Sequence, residues 1–282
     1  MKKHIYLILA SLSFVFVMSC ISEDPVGESQ IDTDPPILSD LDIWLRENFV
    51  APYNIEIQYK WNINETDLAR VLHPPYESSV KPVGEALIKA WIEPYTQVGG
   101  ENFVKELAPR QFTLVGSYNI NPNFTLLLGL AEAGVKVTLF NIDYLDFTDI
   151  NSIKGPLHTV QHEYVHILNQ NIPYDIEYGQ INPENYSAQW FNRPDWFARE
   201  LGYITAYASS QESEDFAEMV AAMLTRSKAD YDALVNSISN PVAKQIIRLK
   251  EAYVADYYLS NFGIDIYELQ DLIETATLEL VN

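Results

Sequence analysis

The 282-residue chain carries 39 acidic against 18 basic side chains, a formal charge of −21, with 48% hydrophobic residues and a single cysteine. So acidic a surface repels the phosphates of nucleic acid and the anionic face of a membrane, which excludes both as expected partners of the folded part. A lone cysteine also excludes an internal disulfide, so the fold must rest on its apolar core.

Taken in chain order, Lys2 and Lys3 form a basic start, and Ile5 to Val17 an apolar run too short to span a bilayer comfortably. Val17-Met18-Ser19-Cys20 then reads as a lipoprotein processing box, making residues 1–19 a signal peptide and Cys20 the lipidated first residue of the mature chain. One acyl chain would hold only marginally, whereas the two or three of a bacterial lipoprotein make release negligible. Loss of Lys2 and Lys3 takes the formal charge to −23. Residues 20–36 read as a lipidated acidic linker. Within it Ser22-Glu23-Asp24 resembles an acidic surface-export signal of some Gram-negative lipoproteins and reads equally well as solvated linker. The expected location is extracytoplasmic, on the outer membrane, with a cell-surface position implied by that signal.

Residues 37–282 suffice for one two-lobed domain. Leu41, Trp44, Leu45 and Phe49 mark a short amphipathic helix started by Ser39 or Asp40. Ile55, Ile57, Tyr59 and Trp61 alternate with polar residues as in a half-buried strand. Pro82 is expected to open a helix through Val83, Leu87, Ala90 and Trp91, closed by Pro94. Phe112 and Leu114 predict a second strand and Val135, Val137 and Leu139 a third, expected to line a cleft and pair with extended substrate.

The next segment contains His162-Glu163-Tyr164-Val165-His166. Residues four apart on a helix project from one face, so the two imidazoles can share a metal ion with Glu163 beside them. Zinc held by neutral histidines acidifies a bound water, and an adjacent carboxylate can take its proton during attack on a carbonyl. Gly155 and Pro156 predict a helix start there, running to about Asn169. His158, a further turn back, is expected to support the site rather than bind metal. Trp190, Phe191, Trp196 and Phe197 follow, readable either as a substrate platform or as buried loop anchors.

A catalytic zinc needs a third protein ligand, and His166 is the last histidine of the chain, so a carboxylate is expected. The segment from Ser213 to Leu224 predicts a helix with Ser213 as N-cap, and Phe216, Met219, Val220, Met223 and Leu224 as its packing face. Small Ala217 and Ala221 would let it approach the histidine helix, while Glu214, Glu218 or Asp215 reaches across. One carboxylate should bind the metal, since a second would cancel its remaining charge. A neighbouring one can instead orient a ligand histidine. Helices are expected over Tyr231–Ile238, Val242–Leu259 and Ile264–Leu280.

The run Tyr207-Ala208-Ser209-Ser210-Gln211-Glu212-Ser213-Glu214-Asp215-Phe216-Ala217-Glu218 resembles the pattern that follows HExxH in zincins related to the catalytic domain of anthrax lethal factor. There a tyrosine stands seven residues before the ligand glutamate and a second glutamate four after it. The resemblance implies one Zn2+ on His162, His166 and Glu214, with Glu163 as base, Tyr207 as oxyanion stabiliser and Glu218 as an outer partner. The chain as a whole is similar to the substrate import-associated zinc metallohydrolase lipoproteins, which implies a TonB-dependent outer-membrane importer as partner.

These readings predict an α+β, zincin-like metallopeptidase domain with a small mixed sheet and a mostly helical C-terminal lobe. The expected activity is hydrolysis of amide bonds in a peptide or protein substrate. The alternative is a non-catalytic accessory lipoprotein that captures peptide or glycan for the importer.

Overall fold

In a computed structural model, residues 37–281 are described except 66, 68, 123, 133 and 134. Cys20, the signal segment and the linker lie outside the described residues. Ser39 caps the first helix, α1 (Asp40–Leu45). Its hydroxyl accepts from the Asp42 amide at 3.1 Å while the Asp42 carboxylate accepts from the Ser39 amide at 3.0 Å. A π-turn (Arg46–Val50) carries α1 on into α2 (Ala51–Tyr53), burying Leu45 and Phe49. Strand β1 (Glu56–Gln58) follows; Ile55, Ile57 and Tyr59 are buried, but Trp61 lies past its end and is exposed.

The segment expected to run from Pro82 to Pro94 extends further at both ends. Helix α3 (Glu77–Leu87), a π-turn (Ile88–Ile92) and α4 (Glu93–Gly99) are continuous, with both prolines inside. Each proline deprives the carbonyl four residues back of its partner. For Pro82 that carbonyl is on exposed Ser78, where water serves; for Pro94 it is on fully buried Ala90, where Gln161 Nε2 donates at 3.5 Å. Helix α5 (Phe103–Leu107) leads to β2 (Gln111–Leu114), the short hairpin β3 (Asn119–Ile120) and β4 (Leu126–Leu127), then β5 (Gly129–Glu132) and β6 (Lys136–Leu139).

The sheet order is β1-β2-β6-β5, with the first three strands parallel and β5 antiparallel to β6. The mixed sheet expected from sequence is therefore present, but the strand expected to pair with substrate is not free. β6 is bonded on one side to β2 and on the other to β5, and its Val137, Thr138 and Leu139 are all buried, as a central strand requires. The edge beyond β6 belongs to β5, with β1 at the opposite edge.

Helix α6 (Ile150–Asn171) begins well before Pro156, capped by Asp149, whose carboxylate accepts from the Asn151 amide at 2.9 Å. Pro156 is thus internal, its unpartnered carbonyl falling on half-buried Ser152. The inner face of α6 packs Val160, Tyr164, Ile167 and Leu168 into the core, and Tyr164 meets Trp91 and Tyr95 edge-on at 5.1 and 5.0 Å. The C-terminal part is helical as expected: α7 (Asp195–Glu200), α8 (Glu212–Leu224), α9 (Lys228–Asn236), α10 (Pro241–Phe262) and α11 (Ile266–Leu280). Among the described residues no helix is long and apolar enough to cross a membrane.

Strand β5 touches α6 at Gly129, where a Cβ would come within 2.2 Å of Thr159 Cγ2 and 3.6 Å of Glu163 Oε1. Only glycine lets the edge strand lie this close to the helix. Gly129→Ala should therefore cost about 1–3 kcal/mol in urea unfolding. Adding Thr159→Ser, which removes the obstructing methyl group, should recover most of it. An unchanged midpoint in the single variant would disprove the close approach.

Candidate metal centre

Helices α6 and α8 lie against one another. Helix α8 starts at Glu212 with Gln211 as the capping residue, two residues before the expected Ser213. That start places Phe216, Met219, Val220, Met223 and Leu224 in the core as predicted, and buries Ala217 and Ala221 completely. Without bulk at those two positions the helix backbones approach, and the carboxylates of α8 reach the imidazoles of α6.

Three atoms converge. His162 Nε2 lies 3.0 Å from Glu214 Oε2, His166 Nε2 lies 3.3 Å from the same oxygen, and the two ring nitrogens are 3.1 Å apart. Tetrahedral donors each about 2.0–2.1 Å from a zinc ion stand about 3.3 Å from one another, so the triangle fits one face of a zinc coordination shell. The other oxygen of Glu214 is held by Gln211 Nε2 at 3.1 Å and Ser213 Oγ at 3.4 Å, which fixes the oxygen turned towards the histidines.

Glu218, one turn on, binds three donors. Its Oε1 lies 2.8 Å from His162 Nδ1 and 3.0 Å from His158 Nε2, and its Oε2 accepts from the Thr205 hydroxyl at 2.6 Å. With Nδ1 engaged in this way, His162 is left with Nε2 for a metal. His158, Glu218 and the Nδ1 side of His162 form a second cluster with metal-ligand spacing. Hydrogen bonds within the protein already account for it.

The electrostatics agree with a cation site. Burial works against charge on His162, but the bonds to Glu214 and Glu218 outweigh it and push its pKa up to about 10. Burial would raise Glu214 and Glu218, yet their histidine partners hold both well below the usual carboxylate range. Two imidazoles and two buried carboxylates thus form a pocket that favours positive charge.

Tyr207 sits on a 3-10 turn (Tyr207–Ser209) with its ring stacked on His162, centroids 5.6 Å apart. Burial and the charge of Glu214 raise its pKa well above that of a free phenol, so it stays a donor. Glu163 is buried between two cavities. One, about 420 Å³, is lined by His166, Asn169, Tyr174, Ser213 and Glu214; the other, about 510 Å³, by Leu126, Leu128, Thr159 and Trp190. Leu127, Gly129, His162, Glu163 and Tyr207 face both.

Asp215, the remaining carboxylate of the segment, does not join the cluster. It is fully buried on another side of α8, 2.5 Å from Lys250 Nζ, and accepts from the Tyr186 hydroxyl at 2.9 Å. Burial drives Asp215 up and Lys250 down in pKa, each opposed by the other's charge. Of the aromatic group, only Trp190 reaches the cleft; Phe191, Trp196 and Phe197 are exposed, neither cleft-lining nor buried anchors. Thr205, Lys250 and Asn169 carry no motif that sequence reading could have used. Asn169, one turn past His166, has neither amide atom bonded within the protein.

The comparisons with known proteins decide the family. A family model described as "Putative zinc-binding metallo-peptidase" matches residues 36–267. The chain belongs to this family. A crystal structure of a zinc-binding metallo-peptidase of that description from Bacteroides caccae is 32% identical to this family member. It covers 85% of this chain and 92% of its own, with a TM-score of 0.72. No curated protein matches the chain. The α+β zinc metallopeptidase fold expected from sequence is thus the fold of a zinc metallopeptidase family.

The Asp215–Lys250 pair fastens the start of α8, next to Glu214, to α10. Removing one partner leaves the other charged and buried, so Lys250→Met should lower unfolding stability by about 3–5 kcal/mol. The double variant Asp215→Leu/Lys250→Met should lose much less. Equal losses in single and double variants, measured by chemical denaturation, would show that the pair does not act as a unit.

Proposed function

We propose that the chain is a single-zinc peptidase whose ligands are His162, His166 and Glu214. The observation that carries this reading is the 3.0–3.3 Å triangle of donor atoms beside a buried Glu163. When bound there, zinc would supply Lewis acidity, polarising a substrate carbonyl and lowering the pKa of water towards ~7.

The protein's own groups do the rest. Glu163, where the two cavities meet, takes the proton of the attacking water and passes it to the departing amine. Tyr207, protonated and stacked on His162, donates to the carbonyl oxygen as negative charge develops on it. Glu218 keeps the His162 ring in one tautomer and one orientation. Substrate main chain is held by β5. Phe140 donates to the Leu128 carbonyl, so Leu128 faces β6 and the next residue, Gly129, turns its N–H and C=O to the open edge beside Glu163.

We also propose that acyl chains on Cys20 tether the domain to the outer membrane, where a TonB-dependent importer would take up its products. The motif around Cys20 supports the anchor. In the native host, Cys20→Ser should move the protein from the membrane fraction to the soluble one; retention on the membrane would remove the anchor.

The catalytic reading is tested by zinc analysis together with digestion of a broad peptide library. Glu163→Gln should retain zinc and lose about 10²–10⁴-fold in kcat. Tyr207→Phe should lose kcat by about 10²–10³ with little change in KM. Glu218→Gln should bind zinc about 10–100-fold more weakly. A wild-type protein that holds zinc and cleaves no peptide would leave only the capture role.

A further inference from the structure

The larger of the two cavities is lined by Leu126, Leu127 and Leu128, from the β4 hairpin strand and the approach to β5, and by Trp190, Thr159 and Gly129. Its volume, about 510 Å³, lies within the range of pockets that enclose a small ligand or a large side chain.

The polar groups in the wall are already engaged. Glu218 accepts from or faces His162, His158 and Thr205. Asn121 donates to the Thr125 hydroxyl at 3.0 Å and accepts from Arg70 Nη2 at 3.1 Å. The apolar groups are the ones left wet: Leu126 is 51% and Leu128 41% exposed. A ligand entering here gains by covering leucines and indole, and a charged side chain would find Glu218 saturated by its own donors.

Trp190 is tied to the chemistry. Its ring meets Tyr207 with centroids 4.8 Å apart, and Tyr207 in turn stacks on His162. The Ser187 amide donates to the Ser209 carbonyl at 2.8 Å, which fixes the loop bearing Trp190 to the turn bearing Tyr207. A side chain packed on Trp190 would therefore belong to a residue next to the bond being cleaved.

We infer that the cavity between Trp190 and Leu126–Leu128 is a specificity pocket for a bulky, uncharged apolar side chain of a peptide substrate, adjacent to the scissile bond. This rests on the peptidase reading and adds the substrate class to it. The pocket selects against acidic residues, because Glu163 and Glu218 line it, and against basic ones, because Glu218 is filled by His162, His158 and Thr205 and Glu163 serves the attacking water.

The test has two arms. In the first, the zinc-loaded wild type digests a peptide library, and the products should place Phe, Leu, Trp or Met at one fixed position beside the cleaved bond. For a matched pair of peptides with Phe or Ala at that position, the ratio of kcat/KM values should fall at least about 10-fold in Trp190→Ala and in Leu126→Ser. Leu126→Ser guards against a Trp190 effect exerted only through Tyr207, which would lower both peptides equally. In the second arm, zinc-loaded Glu163→Gln is titrated with the same peptides, and the Phe peptide should bind more tightly than its Ala, Asp and Lys counterparts. Cleavage without an apolar preference, or an unchanged ratio in both variants, overturns the pocket. Failure of the wild type to cleave, with apolar preference kept in the binding arm, overturns the peptidase reading and leaves the pocket standing. Absence of preference in the binding arm overturns the pocket whatever the first arm gives.

Discussion

The carboxylate of Glu218 is the constraint on which the site depends. It is buried, and burying a carboxylate is costly unless its lone pairs are filled by good donors. Here the donors are His162 and His158 from α6 and Thr205 from the loop before α8. Thr205 in turn accepts from the Ala208 amide at 3.1 Å, which shapes the turn that presents Tyr207. One side chain therefore sets the orientation of an imidazole on one helix and of a phenol on a separate segment. Moving α8 along α6 would break all of these bonds together, so the relative register of the two helices is fixed by polar chemistry as well as by packing.

That register is possible because α6 is gripped on two faces by residues that lack bulk. Ala217 and Ala221 bring α8 close on one face, and Gly129 brings the edge strand close on the other. Away from these contacts the helix is held by large side chains, Tyr164 among Trp91 and Tyr95. Gln161, next to His162, adds a buried polar tie. It accepts from the Tyr95 hydroxyl at 3.0 Å and donates to the Ala90 carbonyl, four residues before Pro94, at 3.5 Å. The proline, the π-turn and the glutamine thus work as one device that fastens the α3–α4 segment to α6.

What the sequence made legible follows from how local each signal is. His162, Glu163 and His166 could be read because their geometry depends only on a four-residue spacing on one helix. Glu214 and Glu218 could be placed on one helical stripe, but choosing between them took a spacing to Tyr207 borrowed from a resemblance. The prolines misled: Pro82 and Pro156 read as helix starts, yet both sit inside helices where the orphaned carbonyl is solvated or only half buried. Strand β5 has no sequence signal, since Gly-Leu-Ala-Glu has no alternation and no β-branched residue, and so the expected substrate edge falls on the segment that forms β6. Thr205 and Lys250 had no signature at all. Their partners lie 13 and 35 residues away, and only the packed fold joins them.

The two glutamates also divide the charge between them. If both bound the metal along with two neutral histidines, the centre would be neutral and would lose the pull on water that hydrolysis requires. Both oxygens of Glu218 are occupied by protein donors, so it stays one bond away from the donor triangle and acts through His162. Glu214 differs because Gln211 and Ser213 hold only its Oε1, leaving Oε2 directed at the histidines. In the proposed reading the centre keeps a net +1 while the surrounding carboxylates still hold it in place. The raised pKa of His162 expresses the same balance: burial opposes charge on the ring, and the carboxylates of Glu214 and Glu218 that face it favour positive charge there.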